Sequence, residues 1–187
     1  MNLFTQQNRH VLQPFEPIIA SALALDAWAQ PLGKRRLQVE FRLHDEQQHV
    51  LWPQHSSGMT RADFLEKSTC FELFLQQVDH PNYVNVQITP RGLWNAYRFS
   101  QYRQPKQMPP LHEQHLTLEQ LHIEHHRLAL VLDLAKLYPR GSMIRLGLSA
   151  LLAHPHALHS DWSLQHSGQS ADSHQAADWC LQFALLN

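Results

Sequence analysis

The chain has 187 residues, 43% of them hydrophobic and 17% charged, and a formal net charge of −1 with histidine neutral. That length suits one sizeable core, so a single domain spanning residues 1–187 is expected. The balanced, interspersed charge supplies no field to gather nucleic acid or anionic lipid, and no apolar run approaches the roughly 20 residues that span a bilayer. The start of the chain, Met1 to Val11, is polar, without a basic segment followed by an apolar core. The expectation is therefore a cytoplasmic protein with no nucleic-acid or membrane partner.

Taken in chain order, the sequence shows period two far more often than 3.6. Residues 18–30 are too densely apolar for the period to decide, and a strand is favoured over a short helix. Leu37, Val39, Phe41 and Leu43 alternate with Gln38, Glu40, Arg42 and His44, the pattern of a strand with one buried and one solvated face. Residues 60–67 suit a capped single helical turn. Strands follow over Cys70–Leu75, Tyr83–Ile88 and Ala96–Phe99. Gln104 to Glu113 contains Pro105, Pro109 and Pro110, which excludes a central strand and predicts a long surface connection. Further strands are expected over 128–134 and 143–149, with turns at 79–82, 124–127 and 138–141. Nine or ten short antiparallel strands with a few helical turns between them predict an all-β, two-sheet antiparallel β-sandwich.

One residue breaks the alternation. Phe71, Leu73 and Leu75 share a face, which leaves Glu72 between Cys70 and Phe74 on the other. A carboxylate in apolar surroundings needs a partner, water or a ligand. Pairing with Arg98 or Arg145 across the sheet is one solution. Contact with a small polar ligand is the other: Glu72, Asn85, Gln87, Arg98 and Arg145 offer fixed hydrogen-bonding groups, and Trp94 and Trp162 offer flat apolar surface. Against that stand two plain readings, tryptophans that fill the core and amides that sit at exposed strand positions.

Fifteen histidines are the oddity of the composition. Most read as polar surface. His166, Asp172 and His174, set in a Ser/Gly/Gln loop, form the one group that folding back would converge, either as a metal site or as a loop hydrogen-bonded to itself. Haem binding would need axial ligands such as Met and His in one pocket, and the four methionines leave that open without motivating it. The two cysteines, Cys70 and Cys180, lie in strand-like apolar runs and read as reduced core or near-core thiols.

The segments Thr69–Leu75, Tyr83–Trp94 and Ala96–Phe99, with Leu146–Ala150, Trp162–His166 and Asp172–His174, resemble bacterial DOMON-like proteins. These are similar to family-nine carbohydrate-binding modules. The resemblance runs in order over roughly residues 36–185. It implies a β-sandwich that binds a small molecule, a sugar in the carbohydrate-binding branch and haem in the cytochrome branch. It also implies that a sugar is clamped by an aromatic six positions before the strand glutamate and by a late tryptophan. Glu72 and Trp162 match; the earlier position is Glu66, and Phe64, Trp52 or Trp94 are the substitutes at hand.

No nucleophile elbow, phosphate-cradling loop, zinc-protease helix or dinucleotide fingerprint occurs, and there are only six glycines. The expectation is a non-enzymatic module without a cofactor that binds a small polar ligand, a carbohydrate first. The rivals are a protein-docking module with no small ligand, and a histidine-based metal- or haem-binding domain.

Overall fold

The structure is a computed structural model that describes residues 8–16, 22–55 and 58–186. Among these, twelve strands account for nearly all regular structure: β1 (Arg9–Pro14), β2 (Ala24–Leu32), β3 (Arg36–His44), β4 (Thr60–Arg61), β5 (Cys70–Gln77), β6 (Tyr83–Ile88), β7 (Leu93–Phe99), β8 (Thr117–Glu124), β9 (Arg127–Asp133), β10 (Met143–Ala153), β11 (His159–Ser163) and β12 (Leu181–Ala184). Three single 3₁₀ turns lie wholly among the described residues, at Leu65–Lys67, Pro155–Ala157 and Ala176–Asp178. No helix among the described residues is long and apolar enough to cross a membrane.

The all-β class is as expected, but the sheets are not two. The strands form one hydrogen-bonded sheet in the order β4-β7-β6-β5-β10-β11-β1-β2-β3-β9-β8, with β12 paired to β10. The sheet curls until its limbs face each other, and Phe41 of β3 meets Phe71 of β5 with ring centroids 4.8 Å apart. β1 makes the sheet continuous, because its first half pairs with β2 and its end pairs with β11. Its sequence hid this: only Leu12 is buried, so the segment reads as a polar tail. The expected strand in 18–30 is β2, although residues 17–21 lie outside the described set. The turn at 65–67 has no side-chain cap; Thr60 and Arg61 instead pair in parallel with β7.

Alternation sets the core. Leu37, Val39 and Phe41 from one limb and Phe71, Leu73 and Leu75 from the other are fully buried together with Leu128, Leu130 and Leu132. Each such side chain contributes about 1.5–3 kcal/mol through burial. Cys70 is buried as expected, whereas Cys180 is exposed, and both are free thiols.

A second, smaller apolar cluster lies on the outer face of the β7-β6-β5-β10 limb. There Phe74, Tyr83, Tyr97 and Phe99 pack under Trp179. The Trp179 ring stacks on Phe74 at 5.1 Å and lies over Gly147, where an added Cβ would fall inside the indole. Gly147 is therefore required by close approach, since its φ is unremarkable. The C-terminal loop is thereby anchored over a face that would otherwise meet solvent.

Candidate functional site

The outer face of this limb carries a polar row. Antiparallel register sets Asn95, Gln87, Glu72, Ser149 and Ser163 abreast on β7, β6, β5, β10 and β11. With strands about 4.8 Å apart, the stretch from Gln87 to Ser163 runs about 14 Å across the limb. Over it lies a cavity of about 460 Å³ that Glu72, Asn85, Gln87, Ser149 and Ser163 line from below. Two segments cover it. One is the proline-rich strap that follows β7, with Pro105 to Pro110 on the cavity wall; the other is the loop after β11, with His166 and Asp172 to His174.

The strap is tied at both ends. Leu111 accepts from the Arg98 N–H at 2.8 Å, and the Glu113 N–H donates to Ala96 at 2.7 Å. His112 Nε2 meets Asp63 Oδ1 at 2.8 Å, where Tyr97 and Asn95 also donate. Burial would raise the Asp63 carboxyl, but these donors, His112 foremost, hold it below its ordinary value. At the other end, Asp172 accepts from Arg103 Nη2 at 2.6 Å and from the Tyr102 hydroxyl, which joins strap to C-terminal loop.

Tyr83 accepts from the Arg103 N–H at 3.1 Å and meets His174 Nδ1 at 2.7 Å. Burial among Phe74, Tyr83 and Phe99, with the Arg103 charge nearby, pushes the His174 pKa down to about 4.

Glu72 is half-buried in the cavity floor. Its Oε1 accepts from Gln87 Nε2 at 2.9 Å; its Oε2 accepts from the hydroxyls of Ser149 at 3.2 Å and Ser173 at 3.0 Å. Burial pushes this carboxyl up from its ordinary value, and the polar side chains of Gln87, Ser173, Ser149 and the nearby Asn85 restrain the rise. The partners are all neutral. Beside them, Asn85 Nδ2 and Gln87 Oε1 are buried without a hydrogen-bond partner among the described residues. Buried amide groups left this way cost about 1–3 kcal/mol each, so a donor and an acceptor stand ready for a ligand or water.

The structure brings Glu72, Asn85 and Gln87 together on the cavity floor. Arg98, Arg145 and Trp94 do not join them. Arg98 is exposed at the strap side of β7, and Arg145 reaches Gln76 at 3.5 Å, so neither neutralises Glu72. The Trp94 ring belongs to the core, covered by Arg61 at 4.2 Å. Trp162 borders the cavity, yet its side chain is a core residue at 2% exposure whose indole donates to Ser160 at 2.9 Å. The exposed aromatic in the cavity lining is Phe64, at 42% exposure, and Tyr97 and Phe99 line the cavity as well.

His166, Asp172 and His174 all line the cavity, but their ligating atoms are engaged. His166 Nε2 donates to the Gln13 carbonyl at 2.8 Å, and Asp172 and His174 hold the clasp just described. No group of three or more His, Cys, Asp or Glu among the described residues could hold a metal ion. Ser149 was not readable in the sequence, because the β10–β5 register that sets it opposite Glu72 joins residues 77 apart in the chain. Nor was Ser173, because a lone loop serine carries no pattern.

No family model matches the chain, and no curated protein matches it. Among solved structures it is similar to a "putative carbohydrate-binding protein" from Bacteroides uniformis ATCC 8492, with a TM-score of 0.55 and 10% identity over 90% of this chain and 84% of that one. At that identity the likeness is one of fold.

Proposed function

We propose that the protein binds a small polar ligand, a carbohydrate, in the cavity over the β7-β6-β5-β10-β11 limb, and that it does so without catalysis. The observation that carries this reading is the floor: a carboxylate held by neutral donors, flanked by a buried donor and a buried acceptor that lack protein partners. Sugar hydroxyls supply both halves of such bonds, and C–H faces suit the rim aromatic Phe64. A volume of about 460 Å³ lies within the range of small-molecule sites, and the long polar row suits a short oligosaccharide laid across the strands.

The fold likeness to a protein described as carbohydrate-binding supports the same choice, as does the DOMON-like, family-nine resemblance in residues 36–185. Both Glu72 oxygens are already committed as acceptors, which favours holding a ligand over transferring a proton. A concave, aromatic-rimmed cavity also fits a ligand site better than the flat patch that a protein-docking module presents.

Titration calorimetry against mono- and disaccharides tests the proposal. At least one sugar is expected to bind saturably, and Asn85→Ala is expected to weaken it about tenfold, the value of one hydrogen bond. A panel without any saturable response would sink the carbohydrate reading and favour the protein-docking one.

A further inference from the structure

We infer that the bound sugar carries a protonated amine, so that the natural ligand is an amino sugar held through its ammonium by Glu72 and Gln87. This rests on the carbohydrate reading above and adds the charge of the ligand to it.

The argument starts from the balance of charge at the cavity. Four carboxylates line it, on Glu66, Glu72, Asp161 and Asp172, against the cations of Arg103 and Lys106. Asp172 and Arg103 neutralise each other at 2.6 Å. Three carboxylates then face one lysine, and none of the three is ion-paired among the described residues. An acidic lining alone would say only that cations collect there.

The second observation is independent of charge. Glu72 fixes the Gln87 amide, because an ionised carboxylate accepts only and the amide must turn its Nε2 towards it. That turn leaves Gln87 Oε1 as a buried acceptor without a partner. Glu72 Oε2 already accepts twice, whereas Oε1 accepts once and keeps a lone pair. Two acceptors, one anionic and one orphaned, thus lie on adjacent strands in register. A hydroxyl has one hydrogen and satisfies one of them. An ammonium has three and a charge, and satisfies both while providing the cation that Glu72 lacks. The orphaned donor Asn85 Nδ2, two residues along the same strand, is left for a ring hydroxyl oxygen.

The test uses four probes on the intact protein at pH 6.5 and low salt: a glucosamine disaccharide, its N-acetylated counterpart, cellobiose, and putrescine as an amine without a sugar. The glucosamine disaccharide is expected to bind at least tenfold more tightly than the other two sugars. The preference should shrink at 0.5 M salt, where ion pairing is screened. In Glu72→Gln, confirmed as folded by thermal melting, it should fall close to one.

Equal binding of the three sugars, or preference for the acetylated one, overturns the amine inference and leaves the carbohydrate proposal standing. Binding of putrescine with no sugar bound overturns the amino-sugar inference together with the carbohydrate proposal. No binding by any probe overturns the inference. The comparison on the unmodified protein decides the matter even if Glu72→Gln does not fold.

Discussion

Two glutamates sit at equivalent places in the two limbs, each mid-strand and each on the face turned away from the core, and their surroundings differ completely. Glu40 on β3 is 1% exposed and clamped by Arg42 and Arg127 at 2.9 and 2.8 Å. Arg42 in turn lies 5.2 Å over the ring of Trp28, the residue opposite Glu40 on β2. Glu72 on β5 has neutral partners only, two amides with unsatisfied atoms on the adjacent β6, and a cavity above. A buried carboxylate whose charge is answered within the protein is a structural element. One whose charge is left unanswered beside a cavity is a candidate ligand contact.

The largest expected effect tests that contrast directly. Glu40→Gln should lower stability by about 2 kcal/mol, the scale of hydrogen bonds to a charged group, and Tm by roughly 4–8 °C in calorimetry. Ligand affinity should not change. Glu72→Gln should do the reverse. A carboxyl whose pKa is raised on folding contributes stability below its unfolded value and loses it as pH rises through its folded value. At pH 7 its charge is therefore a burden, and the glutamine variant should melt no lower than the parent while losing ligand affinity. A large drop in Tm for Glu72→Gln would make the two glutamates alike.

Next in size is a change beside Glu72 alone. In Gly147→Ala the new methyl group displaces Trp179 from Phe74, at a cost of about 1–3 kcal/mol typical of overpacking. Since the Trp179 indole donates to the Ser173 carbonyl at 2.9 Å, the displacement also withdraws Ser173 from Glu72. Weaker ligand binding with a lower Tm is expected. Unchanged binding would show that the loop does not position the site.

A pH effect follows, confined to the same limb. His174 stays neutral in the fold with its pKa near 4, against 6.5 when unfolded. Below pH 6.5 the unfolded chain takes up a proton that the fold refuses, so stability falls as pH drops from about 6.5 to 4 and levels off below that. His10 and His126, whose pKa values burial also lowers, slope the same way, so the measurement is the difference between parent and His174→Gln denaturation curves. A difference independent of pH between 6.5 and 4 would contradict the buried neutral imidazole.

Much of this contrast was legible in the sequence, and the rest has identifiable causes. The apolar faces of β3, β5, β6, β9 and β10 follow from period two alone, and so does the isolation of Glu72. Glu40 read as solvated because its alternation is perfect; nothing local reveals that two arginines and a tryptophan will cover it. Trp162 and Trp94 read either as ligand platforms or as core, because a tryptophan's size does not say which face it will fill, and the core took both. β1 was hidden because a strand that bridges two limbs buries one side chain where an ordinary strand buries three. The clasp and Ser173 depend on contacts across about 70–100 residues of chain, where no spacing rule operates.

The smallest expected effect concerns the ion pair that the site region does possess. Arg103 is 48% exposed and Asp172 13% exposed, in contrast to the buried clamp on Glu40. Such a pair contributes less than about 1 kcal/mol, so Arg103→Ala should move Tm by no more than roughly 2–4 °C. Its effect should be local. The His174 amide donates to Asp172 Oδ1 at 3.1 Å and the Gln175 amide to the Asp172 carbonyl at 3.2 Å, and both should exchange hydrogen faster once Asp172 loses its anchor. The β3 amides around Glu40 should exchange as before. If those amides quicken equally, the two limbs open together and the clasp is no separate element; if only 174 and 175 quicken, the loop over the cavity moves independently of the sheet that carries it.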